Sequence, residues 1–329
     1  MAFEQTEDAL ISVIIPVFNG AETLAGTVRS LQGQTDRHWE AIIVDDGSTD
    51  RTVAIARDLA RNDTRLRVIC QNNRGQANAR NHGLEVARGS LIAFLDADDW
   101  WTPQKLADQR QALTNHPQAA FAYSWTDYVD PENQLLHPGF HRGPSGQIFL
   151  DLLANNFIEN GSNPLIQRGA LDQVGGFESL YIPAEDWEIW LRLAARYEAI
   201  AVPKAQIRYR VSPQSSSANL YKLEQACVRV LERHIHTAPR ELSRQAKHLE
   251  RPAKSRFYKG LACKALTAGP PNRQRGLQSA RLLGLAVLHR PLLLGEVKFL
   301  GVMVIKIGLL LLLSVQGMER SRQWFKTIR

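Results

Sequence analysis

Apolar and polar positions fall into blocks along the first 130 residues, and the blocks change period. SVIIPVF (12–18) is an apolar run of strand length, and AETLAGTVRSLQ (21–32) carries its apolar positions at helical spacing. EAIIVDD (40–46), LRVIC (66–70) and LIAFL (91–95) predict further strands. Helical patterns separate them at RTVAIARDLARN (51–62), with Asp50 placed to cap it, and at ANARNHGLEVA (77–87). Strands that are apolar throughout, each followed by a helix, predict a mostly parallel sheet covered on both faces. Beyond it, AAFAYSWTDYV (119–129) and QIRYRVS (206–212) predict strands, and EDWEIWLRLAARY (185–197) a helix. From about residue 217 the pattern is helical only, with a helical hairpin across FYKGLACKALTAG and RQRGLQSARLLGLAVLHRP. FLGVMVIKIGLLLLLSV (299–315) is apolar except for Lys306 and stands at the short edge of what spans a bilayer.

Open α/β sheets bind ligands beyond the C-terminal ends of their strands. Each strand here runs into polar residues at that end: Asn19, then Asp45 and Asp46, then Asn72 and Asn73, then Asp96, Asp98 and Asp99. Three carboxylates in four positions at the end of a core strand repel one another unless a cation neutralises them. Mg²⁺ or Mn²⁺ suits such a site, because each takes oxygen ligands from one or two carboxylates, with phosphates and water completing the shell. The D-x-D spacing puts Asp96 and Asp98 on one side of an extended chain. A turn or helix cap before Pro103 is the plainer use of the same residues. VDDGSTD (44–50) has the same ambiguity. Gly47 allows a tight turn, Ser48, Thr49 and Asp50 can cap, and Asp45 is left at the strand end as an acceptor.

Charge changes the picture at the other end of the chain. The net charge is +7, but residues 240–329 hold 18 Lys/Arg against 4 Asp/Glu, an excess of 14, which leaves the first 239 residues at −7. The C-terminal part is therefore expected to meet something anionic. Its cations lie among long aliphatic runs, and the tail RSRQWFKTIR is basic and aromatic, which suits a lipid surface better than a nucleic-acid groove. A soluble helical cap or an oligomer interface is the alternative. Three cysteines in no C-x-x-C spacing argue against a disulfide framework or a zinc site. The acidic start MAFEQTEDAL shows no apolar signal core, so a cytoplasmic setting is expected.

PVFN (16–19), DDGSTD (45–50), NNRGQANARNHG (72–83) and FLDADDW (94–100), followed by VGGFESLYIPAEDWEIWLRLA (174–194) and YRVSPQSSSAN (209–219), resemble the inverting family 2 glycosyltransferases. The resemblance implies a GT-A (Rossmann-like) fold over 11–220, with a nucleotide-sugar half at 11–117 and an acceptor half at 118–220. A tail (1–10) would precede it, and a basic helical region (221–329), with a membrane-associated segment at 291–315, would follow. It also implies site roles. Pro16, Val17, Phe18 and Glu22 would meet the base or ribose. Asp45 would bond the base, usually uracil or thymine, with Asp96 near the ribose and Asp98 on the metal. Asp96 could share that metal. Arg80 and Asn81 would touch the donor or brace the pocket. Asp186, or failing it Glu185, would be the base that deprotonates the acceptor. Both could instead cap their helix, where carboxylates complement the dipole. Trp187 would wall the sugar pocket or pack in the core. Asp99 could be a ligand, a brace or a cap. Family members often carry a histidine after the Y-R stretch. Here Ser212 stands there, a poor metal ligand, so the second protein ligand is in doubt and Gln214 or Ser215 are weak substitutes.

The resulting expectation is a metal-dependent enzyme that moves a sugar from a UDP- or dTDP-linked donor to a saccharide or lipid-linked acceptor in surface glycan synthesis. It would act at the inner face of the cell membrane and bind no nucleic acid. A nucleotidyltransferase is the enzyme rival. FNGAETL weakens it, since it has a single glycine and no cation until Arg29. A nucleic-acid-binding protein acting through the basic end is the rival from another class.

Overall fold

The polar clusters are brought together by strand register. In this computed structural model, which describes residues 7–212, 215, 218–267 and 272–312, the apolar runs form β1 (Ile11–Val17), β2 (Trp39–Asp45), β3 (Leu66–Cys70) and β4 (Leu91–Phe94). They pair in the order β3-β2-β1-β4, all parallel. Val17 lies opposite Asp45 and Ile14 opposite Phe94. The residues after β1, β2 and β4 thus leave the sheet along one edge.

Helices α1 (Leu24–Gln32), α2 (Thr52–Asn62) and α3 (Gln76–Val86) are the crossovers. Leu24, Val28 and Leu31 of α1 recur at helical spacing and are buried against β1 and β2 residues such as Val13, Ile15 and Ile43. The sheet continues through antiparallel β8 (Leu165–Gln167) to β6 (Ala119–Val129), β9 (Glu198–Arg210) and the two-residue β5 (Trp100–Trp101), while β7 (Leu135–Pro138) pairs with β6. β6 and β9 are parallel, which carries both of their C-terminal ends to Asp98 and Asp99.

Three local expectations shift. The helix read from residue 21 begins at Leu24, because Gly20 and Ala21 turn their N–H groups onto the Thr52 hydroxyl and the Asp50 carboxylate. Asp50 is not the side-chain cap of α2. It accepts from the backbone and hydroxyl of Thr52 at 2.9 and 2.5 Å, and so ties two loops together. β9 starts eight residues before the strand read at 206–212. Pro203 interrupts its pattern and falls where the β6–β9 register shifts, a place that tolerates a missing N–H.

The chain divides into two compact units, Met1–Leu152 with Asn156–Ser212, and Leu153–Asn155 with Pro213–Arg329. The second is built from α8 (Leu220–His236), α9 (Ser243–Thr267), α10 (Arg273–His289) and α11 (Val297–Leu312). Leu261, Ala262, Ala265, Leu282, Ala286 and Met303 are part of its apolar core. Ser255 and Ser279 each donate to a carbonyl of the facing helix, Ala286 and Ala262, cross-linking the α9–α10 hairpin. Among the described residues no helix is long and apolar enough to cross a membrane. Residues 313–315 of the long apolar run, the basic tail and Gln214 lie outside the described residues.

Candidate active site

Asp45 closes β2 almost entirely buried. One carboxylate oxygen accepts the N–H groups of Gly47 and Ser48 at 3.2 and 3.1 Å, so the turn holds its own anchor. The other oxygen is buried with no hydrogen-bond partner among the described residues. A buried, unmet acceptor is costly in a free-standing fold and normal in a site built to receive a donor. Gly47 is required here by its φ of +77° and by contact, since a Cβ would come within 2.9 Å of the Asn73 nitrogen. Pro16 and Val17 are buried in β1, whereas Phe18, just beyond it, is 50% exposed and can offer a ring face. Glu22 is exposed on the following turn. Asn19, at φ 51°, accepts from Thr49 N–H at 2.8 Å and locks this loop to the one after β2.

The three aspartates after β4 have separate jobs. Asp96 accepts from Arg80 Nη2 at 2.7 Å and Gln76 Nε2 at 2.9 Å, both on the same oxygen. Its own N–H donates to Ser162 Oγ. Asp99 is fully buried. It accepts from Ser162 Oγ at 2.6 Å and the Arg210 N–H at 3.1 Å, and α4 (Lys105–Asn115) starts too late for it to be the cap. Burial, then the charges of Asp98 and Asp96, push its carboxyl well up. In the folded chain Asp99 thus braces β9 against the loop at 162 and does not cap α4. Arg210 Nε donates to the Asp98 backbone carbonyl at 3.1 Å, while the Asp98 carboxylate accepts no hydrogen bond from another described residue. Burial and the neighbouring Asp96 charge raise it to about 6. An unengaged carboxylate beside another with an oxygen to spare fits a cation that asks for one or two protein ligands. No set of three acidic, histidine or cysteine ligands exists among the described residues, so phosphate and water would complete any such shell. Ser212, just past β9, is half-buried.

Arg80 is the hub. It is 2% exposed and reaches Asp96 with Nη2 and Glu185 Oε1 with Nη1 at 2.9 Å, above the Phe177 ring at 5.0 Å. A Cβ at Gly161 would stand 2.6 Å from Nη2, so only glycine leaves room for the guanidinium. The two carboxylates hold the Arg80 charge firmly in place against its burial. Asn81 points elsewhere: it exchanges both amide bonds with the backbone of Phe177, a purely bracing role.

Glu185 and Asp186 open α7 (Glu185–Ala194). Glu185 is buried and tied to Arg80; burial raises it and Arg80 opposes. Asp186 is half-buried and, among the described residues, accepts only the Trp187 N–H at 2.6 Å. Burial, then the Glu185 charge, lift it to about 7, the range of a general base at neutral pH. Trp187 is a core residue: it is buried and its indole N–H donates to the Leu152 carbonyl at 3.0 Å.

Several site-building residues were given no role by the sequence reading. Asp46 accepts from Gln71 Nε2, Arg74 N and Gly75 N, each at 2.8 Å, and so shapes the entry to α3. Gln76 joins Arg80 on Asp96. Asn160, Ser162 and Asn163 are buried polar residues. Asn163 accepts from Ser124 N and donates to the carbonyls of Ser124 and Ile158. The signal was present as NGSN (160–163), a polar quartet with a glycine.

The family model described as Glycosyl transferase family 2 matches residues 12–175. The UDP-Glc:alpha-D-GlcNAc-diphosphoundecaprenol beta-1,3-glucosyltransferase WfaP of Escherichia coli is 32% identical over 217 residues, 65% of this chain and 82% of that one. The chain belongs to glycosyltransferase family 2. Among solved structures it is similar to S. aureus TarS 1-349 in complex with UDP-GlcNAc (TM-score 0.64, 17% identity, 95% and 92% of the two chains). It is also similar to the mannosyltransferase PcManGT of Pyrobaculum calidifontis in complex with GDP-Man and Mn²⁺ (TM-score 0.58, 20% identity, 99% and 90%). At those identities the likeness supports the fold alone.

Proposed function

We propose that this glycosyltransferase moves a sugar, with inversion, from a UDP- or dTDP-linked donor to a saccharide or lipid-linked acceptor in surface glycan synthesis. The observation that carries the donor reading is the unmet, buried oxygen of Asp45, opposite Val17 in the sheet, with the exposed Phe18 next along β1's exit. Uracil and thymine both present a ring N–H, and a carboxylate at the end of β2 can accept it while the ring packs on Phe18. TarS, bound to UDP-GlcNAc, and WfaP, which is named for UDP-Glc and a diphosphoundecaprenol acceptor, favour the same classes of donor and acceptor.

In this reading Asp96 faces the ribose, its geometry fixed by Arg80 and Gln76. Asp98, with the spare oxygen of Asp96, holds Mg²⁺ or Mn²⁺, and the Mn²⁺ in the PcManGT complex supports that choice of ion. The bound ion supplies charge stabilisation for the departing diphosphate. Asp186 takes the proton of the acceptor hydroxyl as that oxygen bonds to the anomeric carbon. The bond from that carbon to the diphosphate oxygen breaks on the opposite face, and its electron pair leaves with the nucleotide. Asp186 suits this role better than Glu185, because Arg80 engages Glu185 and leaves Asp186 an oxygen free to receive a proton. A lipid-linked acceptor would be met at the inner face of the membrane, where the donor is soluble.

The test is a donor panel with Mg²⁺ or Mn²⁺, scored by release of nucleoside diphosphate, in wild type and Asp45→Ala. Turnover with a uridine or thymidine donor that the substitution weakens through KM supports the reading. A preference for a guanosine donor, unaffected by Asp45→Ala, overturns it.

A further inference from the structure

α11 is apolar on two faces, and among the described residues only one of them is packed. Met303, Ile307 and Leu310 are buried in the helical core. Val297, Gly301, Val304, Gly308 and Leu312 recur at helical spacing on the other side, where Val297 is 73%, Val304 61% and Leu312 87% exposed. Lys298 and Lys306 are the only charged residues among its sixteen. The preceding turn behaves alike. Leu293 is buried and anchors it, while Leu292 (79%) and Leu294 (60%) are held out into solvent. Helices apolar all round belong in a protein core or in lipid, and large exposed apolar surface marks a contact site.

From this surface we infer that the α10–α11 corner and the outer stripe of α11 lie in the headgroup region of an anionic bilayer. The inference deepens the membrane-face reading of the proposed function by naming the element that makes the contact. Charge selects this occupant over a second copy of the chain. Arg290 and Lys298 flank the apolar residues and make no ion pair among the described residues, while the local acid Glu296 is already paired with Lys259. With an excess of 14 positive charges over residues 240–329, copies of this end repel one another and attract acidic lipid. Met303, Ile307 and Leu310 on the opposite side of α11 stay in the helical core, so the outer stripe meets lipid in the interface plane.

The full chain is tested by co-sedimentation with vesicles of phosphatidylglycerol and phosphatidylcholine, and with vesicles of phosphatidylcholine alone. Wild type pellets with the anionic vesicles and is partly released by high salt. Leu292→Asp/Leu294→Asp and, separately, Val304→Asp lower the bound fraction roughly tenfold. Arg290→Glu/Lys298→Glu removes the preference for anionic lipid. These residues are exposed, so each variant keeps its helical circular dichroism and its release of nucleotide from the donor. Wild type remaining in the supernatant, or variants that pellet like wild type, overturns the inference. So does a change of mass by light scattering in the aspartate variants without vesicle binding by wild type, which assigns the face to a second copy. Failure to bind vesicles with donor turnover intact refutes this inference alone; vesicle binding without donor turnover refutes the proposed function alone.

Discussion

Asp186 sits where burial and the Glu185 charge disfavour its ionised form, and this can be measured without any substrate. Its carboxyl titrates near 7 instead of 3.8, because burial and then Glu185 oppose ionisation. The folded state therefore holds that proton about three decades more tightly than the unfolded chain, at about 1.4 kcal/mol per decade, which sets a ceiling near 4 kcal/mol. The carboxylate is only half-buried and keeps some hydration, so about 2–4 kcal/mol is expected. The sign follows from proton binding. Between pH 4 and 7 the folded state binds more protons than the unfolded state, so this residue's contribution to stability falls as pH rises through that window. Asp186→Asn is neutral throughout, and its side-chain oxygen can still accept the Trp187 N–H. Urea denaturation of the two proteins should give curves that converge towards pH 4 and separate by pH 8, with the asparagine variant the more stable. Transfer should fall by about 10²–10⁴, the usual worth of a general base, and wild-type transfer should decline below about pH 7. A stability difference that ignores pH, or an asparagine variant less stable at pH 8, refutes the electrostatic reasoning. Undiminished transfer refutes the assignment of the base.

Arg80→Met strands the buried Glu185 and the partly buried Asp96 and should cost about 3–5 kcal/mol in chemical denaturation, with transfer lost at any temperature where the protein remains folded. Gly161→Ala drives a methyl into the Arg80 guanidinium and should cost about 1–3 kcal/mol, seen as a lowered thermal midpoint, together with reduced turnover. Asp99→Asn keeps an acceptor for the Arg210 N–H and gains a donor for Ser162, so its stability should stay within about 1 kcal/mol of wild type and its turnover within about tenfold. A loss as deep as that of an Asp98 variant would show that Asp99 does more than brace.

The parallel half of the sheet was legible because its strands are buried on both faces and read as unbroken apolar runs. β8 and β5 were not: three and two residues long, they are too short for any period to show. Half of β9 was hidden by Pro203. The aspartates stood out in the sequence, yet their division of labour did not. Asp99 is taken up by Ser162 and Arg210, residues 63 and 111 positions away, and only the folded chain brings them together. The same holds for Arg80, whose partners are 16 and 105 positions distant. Sequence spacing offers Glu185 and Asp186 as a pair; only the folded chain shows that Glu185 is the one bonded to Arg80.

The central claim is that Asp98 stands ready for a divalent cation and that the donor's diphosphate leaves through that charge. It is tested most directly by measuring nucleoside diphosphate release from the best donor over a titration of Mn²⁺, in wild type and Asp98→Asn. The account predicts saturable dependence on the ion in wild type and no turnover in the variant, with the fold of the variant intact by circular dichroism. Turnover by Asp98→Asn at the wild-type rate and the wild-type dependence on Mn²⁺ would contradict it.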